Sequence, residues 1–216
     1  PSYLKRNQLP SYKTNCIEDW EEKVEKICDE TIGQNMSLIS GIPPWVQMYF
    51  DKITQRSEKK IKDVFPNFSL FIYGGVNYEP YRNKLEQSIG KKIDSIELYP
   101  ASEGFIAYQD SQKRNDLLLN TDSGIFYEFI PASEFFDPNP HRIPLSEVET
   151  GINYAIVLSS NAGLWAYSIG DTVKFTSVNP CRILITGRIS QYISAFGEHV
   201  IVEEVEKALM KTISEF

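Results

Sequence analysis

The chain has 216 residues, enough for one large domain or one and a half small ones, and a 42% hydrophobic, 24% charged composition argues against disorder. Its 22 Lys and Arg against 29 Asp and Glu give a net charge of −7, so no broad basic face exists to neutralise a phosphate backbone, and nucleic acid is excluded as a partner. Three cysteines, Cys16, Cys28 and Cys181, lack zinc-site spacing and predict a reducing cytoplasm, while no run reaches the roughly eighteen apolar residues of a membrane span, so no membrane partner is expected.

Twelve Tyr, twelve Phe and three Trp, together with Val and Ile runs, argue for a large β component. Residues 1–14 are polar and read as an extended lead-in, and Pro1 in place of an initiator methionine predicts a trimmed or excised chain. Asn15 with Glu18 reads as a helix cap, and Ile17, Trp20, Val24, Ile27 and Cys28 recur at helical spacing, predicting a helix over 16–33 ended by Gly33. A strand is expected over 36–42. Pro43 and Pro44 then sit where a helix begins, with Trp45, Met48, Tyr49 and Ile53 on one face. Residues 68–73 form a second strand broken by Gly74 and Gly75, residues 79–89 a helix closed by Gly90, and residues 93–98 a third strand. Strands alternating with helices imply a parallel or mixed sheet, with ligands at the carboxyl ends of its strands.

Beyond Gly104 the pattern changes to short runs at 105–109, 117–120, 125–130, 154–159, 164–167, 172–176 and 182–186, which predict an antiparallel meander or small barrel. Residues 192–200 continue as extended chain, and Val205, Ala208 and Leu209 among Glu203, Glu204 and Lys207 predict a final helix.

Four segments bear chemistry. In Tyr99-Pro100-Ala101-Ser102-Glu103-Gly104 a hydroxyl able to bond a phosphate oxygen stands beside a carboxylate suited to Mg²⁺; the plain alternative is a polar turn. The same string differs by one residue from a Gly-x-Ser-x-Gly nucleophile elbow, which would make Ser102 a hydrolase nucleophile. That elbow needs a helix after the serine, and a strand is expected here, with only His141 and His199 as bases. Gly74-Gly75 permits close backbone approach to a flat ligand, or forms an ordinary turn. Gly170-Asp171 offers a carboxylate for ribose hydroxyls, or a hairpin turn, and Gly187-Arg188 a guanidinium for phosphate and hydroxyl, or a surface ion pair.

In this order and spacing, with Gly41-Ile42-Pro43-Pro44-Trp45, Phe65-Pro66-Asn67, Glu79-Pro80-Tyr81-Arg82 and Phe196-Gly197-Glu198 around them, the chain resembles the auxin-responsive promoter family of acyl-acid amido synthetases. These are adenylate-forming ligases, and the likeness is to their bacterial form. The resemblance implies an enzyme that activates a small-molecule carboxylic acid as acyl-AMP with ATP and Mg²⁺ and transfers the acyl group to an amine or amino acid. It implies that Gly74, Gly75 and Val76 line the adenine, Tyr99 packs on its ring and Ser102 touches the α-phosphate. Glu103 would hold Mg²⁺, Asp171 the ribose hydroxyls, and Arg188 would approach the nucleotide.

The expected fold is mixed α/β. A partial nucleotide-binding sheet with flanking helices spans 1–104, an antiparallel β-barrel-like portion 105–186, and the hinge and start of a C-terminal lid 187–216. Two departures from the family pattern stand out. Ser37-Leu38-Ile39-Ser40-Gly41 is too apolar for the family's phosphate loop, and the lid extends past residue 216, so the chain reads as an internal fragment without acid-dependent pyrophosphate exchange of its own. Ala166 stands where the family usually has arginine, which leaves a non-catalytic nucleotide-binding relative as the alternative, ahead of the serine hydrolase.

Overall fold

The computed structural model describes residues 7–191, 193–195, 198–200 and 211–212, and the chain divides into two compact units, Pro1–Glu97 and Leu98–Phe216. The expectations placed on residues 1–6, on Phe196 and Gly197, and on a helix near 203–209 lie outside the described residues. Among the described residues no helix is long and apolar enough to cross a membrane.

The first unit starts with a short helix, α1 (Tyr12–Asn15), followed by α2 (Trp20–Thr31). One continuous helix from 16 does not form. The cap of α2 is Asp19, whose carboxylate accepts from the Glu22 N–H at 2.8 Å, and Glu21 and Glu22 add negative charge at the positive end of the helix. Asn15 is instead the last residue of α1, which Ser11 caps and which Glu30 anchors by accepting from the Thr14 hydroxyl at 2.6 Å. Gly33, at φ +87°, turns the chain after α2.

Helix α3 (Pro43–Ser57) opens on its two prolines, where a missing N–H costs nothing, and ends at Glu58 in the left-handed region. A single turn, α4 (Ile61–Val64), precedes α5 (Glu79–Ile89), which stops at Gly90 with φ +79°. Between the helices run β1 (Leu38–Ser40), β2 (Leu70–Tyr73) and the first half of β3 (Asp94–Ala101), all parallel, with Leu38 beside Leu70 and Leu70 beside Asp94. Phe50, Ile53, Ile61, Phe65, Phe68 and Leu85 are fully buried here, and Phe50 meets Phe68 edge-on at 5.8 Å.

In the second unit the end of β3 pairs with β4 (Gly104–Tyr108), and the order continues β5 (Leu117–Leu119), β10 (Cys181–Arg188), β9 (Tyr167–Val178), β8 (Asn153–Ser160), β6 (Ile125–Pro131), β7 (Ile143–Pro144), antiparallel throughout. A further pair, β11 (Ile193–Ala195) and β12 (Glu198–Val200), keeps residues 193–195 and 198–200 extended. The core joins Ile106, Phe129, Ile156, Leu158, Val173, Phe175 and Ile183, with Phe129 edge-on to Phe175 at 5.1 Å. Of the expected strand 164–167 only Tyr167 is in strand, where it opens the long β9 that also takes in the expected strand 172–176, so Gly170-Asp171 lies inside a strand and is not a hairpin turn.

Candidate functional site

Asp171 owes its position to a bulge. Ala155 of β8 pairs with Thr172 of β9, but Val157 pairs with Ser168, so Ile169, Gly170 and Asp171 face the single residue Ile156. Gly170 takes φ +79°, a conformation in which a Cβ is strained, while a Cβ there would meet the Arg188 guanidinium only at 3.7 Å. The glycine is needed for backbone conformation rather than for space. On its other edge β9 pairs with β10 across a second irregularity, Val173 lying opposite Ile185 and Thr172 opposite Gly187 with Thr186 between, and this sets Asp171 directly across from Arg188.

That register makes the contacts. Arg188 Nε donates to Asp171 Oδ1 at 2.8 Å, and the Tyr99 hydroxyl donates to Asp171 Oδ2 at 2.6 Å. The Asp171 side chain is 15% exposed and that of Arg188 61%, so the carboxylate is recessed and the guanidinium reaches out over it. Beneath them the buried Thr186 and Thr172 hydroxyls bond each other at 3.0 Å. Burial, with the Asp171 carboxylate beside it and the Glu103 charge further off, pushes the Tyr99 hydroxyl well above its ordinary range, which keeps it a donor.

Ser102 and Glu103 are the two residues of the β3–β4 turn, closed by pairing of Ala101 with Gly104; Ser102 is exposed and Glu103 half-buried. A Cβ at Gly104 would stand 2.6 Å from the Ile125 side chain, so glycine lets the turn close onto β6. The segment runs strand, turn, strand. No helix lifts Ser102 as a nucleophile elbow requires, and the hydrolase reading loses its geometry.

In the first unit, Gly74, Gly75 and Val76 follow the carboxyl end of β2; Gly75 has φ +81° and nothing within 4 Å of a Cβ, and Val76 is 38% exposed. Among the described residues no group of three or more His, Cys, Asp or Glu side chains could hold a metal ion. Glu103 is a half-buried carboxylate in the β3–β4 turn, and Mg²⁺ is commonly held by one or two carboxylates together with phosphate oxygens and water. The contacts Tyr99–Asp171 and Asp171–Arg188, and the threonine pair behind them, have no signal in the linear sequence.

The GH3 family N-terminal domain matches residues 7–93, and the GH3 family central domain matches residues 118–188, together more than half of the chain. The chain belongs to the GH3 family. This GH3 chain is 29% identical over 174 residues to jasmonoyl-L-amino acid synthetase JAR4 of Nicotiana attenuata, covering 72% of the chain and 30% of that relative. It is 32% identical over 123 residues to JAR6 of the same plant, covering 53% of the chain and 21% of the relative. The chain thus spans less than a third of the length of the curated relatives it matches.

Among solved structures, the GH3.15 acyl acid amido synthetase superposes with a TM-score of 0.69 at 14% identity, covering 97% of this chain and 48% of that one. A 2-hydroxyisobutyryl-CoA ligase bound to 2-HIB-AMP and CoA gives 0.64 at 14%, covering 88% and 44%. At these identities the likeness is one of fold, and the fold of the GH3 chain is that of adenylate-forming ligases.

Proposed function

We propose that the full-length protein activates a carboxylic acid as acyl-AMP and passes the acyl group to the amine of an amino acid, and that this chain supplies nucleotide-binding residues for that reaction. The observation that carries this reading is the recessed Asp171 carboxylate, held by Tyr99 and Arg188 in a GH3 chain. A carboxylate accepts about four hydrogen bonds, and two sites on Asp171 are taken, so two remain for the vicinal hydroxyls of a ribose.

In this reading the exposed Arg188 fork follows the nucleotide's phosphate or ribose oxygens, and the Ser102 hydroxyl bonds the α-phosphate. Glu103 would hold Mg²⁺, which when bound offsets charge developing on the phosphates during attack by the acid. Gly74, Gly75 and Val76 keep the role of meeting the adenine, since Gly75 presents backbone with no side chain. No residue forms a covalent intermediate; the work is positioning and charge stabilisation. The relatives named for jasmonoyl-amino acid synthesis, and the structure of a GH3.15 synthetase with 2,4-DB, favour a small organic acid and an amino acid as co-substrates. The three free cysteines fit a cytoplasmic location.

A second reading, nucleotide binding without chemistry, is favoured by Ala166. It lies exposed at φ +47° with its N–H donating to the Ser159 hydroxyl at 2.9 Å, and so places a methyl group where the family resemblance implies an arginine. Calorimetric titration of AMP and of ATP with Mg²⁺ tests the shared nucleotide step. Binding is expected, weakened at least tenfold by Asp171→Ala, and the Mg²⁺ dependence of ATP binding is expected to vanish in Glu103→Ala. Nucleotide affinity indifferent to both substitutions would remove the site.

A further inference from the structure

Ser102 and Glu103 form a two-residue turn between the paired Ala101 and Gly104, and neither takes a positive φ. The two-residue turns whose twist matches that of paired strands, types I′ and II′, need a positive φ at one or both of these positions. This turn is of neither type, so its own backbone favours splayed strands over a closed hairpin. A register shift lies just behind it, between Tyr99 and Pro100, with Ile106 as the extra residue on β4. What closes the hairpin is therefore the surface it packs on.

That surface is Ile125. A Cβ added at Gly104 would lie 2.6 Å from Ile125 Cδ1 and 3.6 Å from its Cγ1, so the Cδ1 methyl stands where a side chain at 104 would go. Gly104 lies outside the left-handed region, and glycine here answers to space rather than to conformation. Ile125 is itself anchored, since it opens β6 opposite Ser160 of β8 and packs against the core that holds Phe129, Leu158 and Phe175.

We propose that Gly104 and Ile125 are a positioning pair for the Ser102–Glu103 turn. The Ile125 methyl seats the backbone of Gly104, and this holds the Ser102 hydroxyl and the Glu103 carboxylate in place for the phosphates of a nucleotide and their Mg²⁺. The proposal rests on the nucleotide reading above and deepens it. A turn without favourable twist of its own, once unseated, samples several orientations, and ordering it on binding costs affinity for the phosphates but not for the nucleoside.

The pair can be broken and restored with two substitutions. Gly104→Ala introduces the methyl that collides, and Ile125→Val deletes the Cδ1 with which it collides. The probes are ATP with Mg²⁺, and adenosine, which has no phosphate, each titrated calorimetrically into the same preparation. For Gly104→Ala the expected result is an affinity for ATP with Mg²⁺ lower by about tenfold, with adenosine affinity unchanged. Because the ratio of the two is taken on one preparation, a lower folded fraction leaves it unaffected. Adding Ile125→Val to Gly104→Ala is expected to bring that ratio back to within about threefold of the unsubstituted chain. Ile125→Ala alone, which removes the seat and adds nothing, is expected to lower the ratio about fivefold.

A ratio unchanged by Gly104→Ala would mean that Ile125 simply turns its methyl aside, and the proposal would be wrong. It is equally wrong if both ligands weaken together, which marks a purely structural role, or if Ile125→Val restores nothing. If the unsubstituted chain binds neither ligand, the nucleotide reading itself falls, and the positioning role with it.

Discussion

Glu97 pairs with Tyr73 where β2 and β3 end their parallel register, and the Tyr73 hydroxyl donates to it at 3.4 Å. Burial lifts its carboxyl from 4.5 to about 7, against the lowering effect of that hydrogen bond. Between those two values the folded chain holds a proton that the unfolded chain has released, so stability falls as pH rises from 4.5 and the loss is complete above 7. At about 1.4 kcal/mol per pKa unit the whole loss is of order 3 kcal/mol. Glu97→Gln, which stays neutral, is therefore expected to flatten stability between pH 5 and pH 8 and to exceed the native chain at pH 8 by roughly 2–3 kcal/mol. Urea unfolding at the two pH values reads this out, and an unchanged pH slope would count against a raised carboxyl.

A strand that must aim a carboxylate pays in regularity. In β9 that irregularity is the three-residue bulge opposite Ile156, and its conformational cost falls on Gly170 at φ +79°. Gly170→Ala puts a Cβ into the left-handed region at about 1–2 kcal/mol. The chain is expected to keep its fold, because the site has room, yet to relax the bulge and turn Asp171 away from Tyr99. AMP affinity should then fall by more than the loss of thermal stability alone accounts for. Parallel calorimetric titration and thermal melts compare the two; equal effects would mean that the bulge has no part in aiming Asp171.

At the scale of the molecule, each unit has its own core, and in the second a charge cluster ties distant segments together. Asp116, 7% exposed, accepts from Arg114 at 2.5 Å and from the Thr176 hydroxyl at 2.7 Å, and lies 3.4 Å from Arg182, which also binds Asp110 at 2.6 Å. The Arg114 hydrogen bonds, then Thr176, overcome burial and hold the Asp116 carboxyl down at about 2. A depressed carboxyl contributes stability above its ordinary 3.8, lost as pH falls through about 2. Asp116→Asn is expected to cost about 2 kcal/mol near neutrality, less than a stranded buried charge would, since Arg182 keeps Asp110. The difference from the native chain should shrink as the medium is acidified below pH 3.8, and an undiminished gap at pH 2 would refute the assignment.

Local signals were enough for much of this architecture. The prolines that start α3, the glycine that ends α5 and the alternation of strand with helix act over a few residues, and the sequence determined them by itself, along with the order of segments that marks the family. The same local reading put the cap at Asn15, whereas the structure caps α2 with Asp19 four residues on, because which of two capping residues is used depends on which helix packs. It left 168–171 out of any strand, because a bulge is defined by its pairing with β8 and not by its own letters. Above all, Tyr99 and Asp171 stand 72 residues apart, and their hydrogen bond exists only because β3, β9 and β10 lie in one antiparallel order. The sequence named the carboxylate; strand register, a non-local property, decided what holds it.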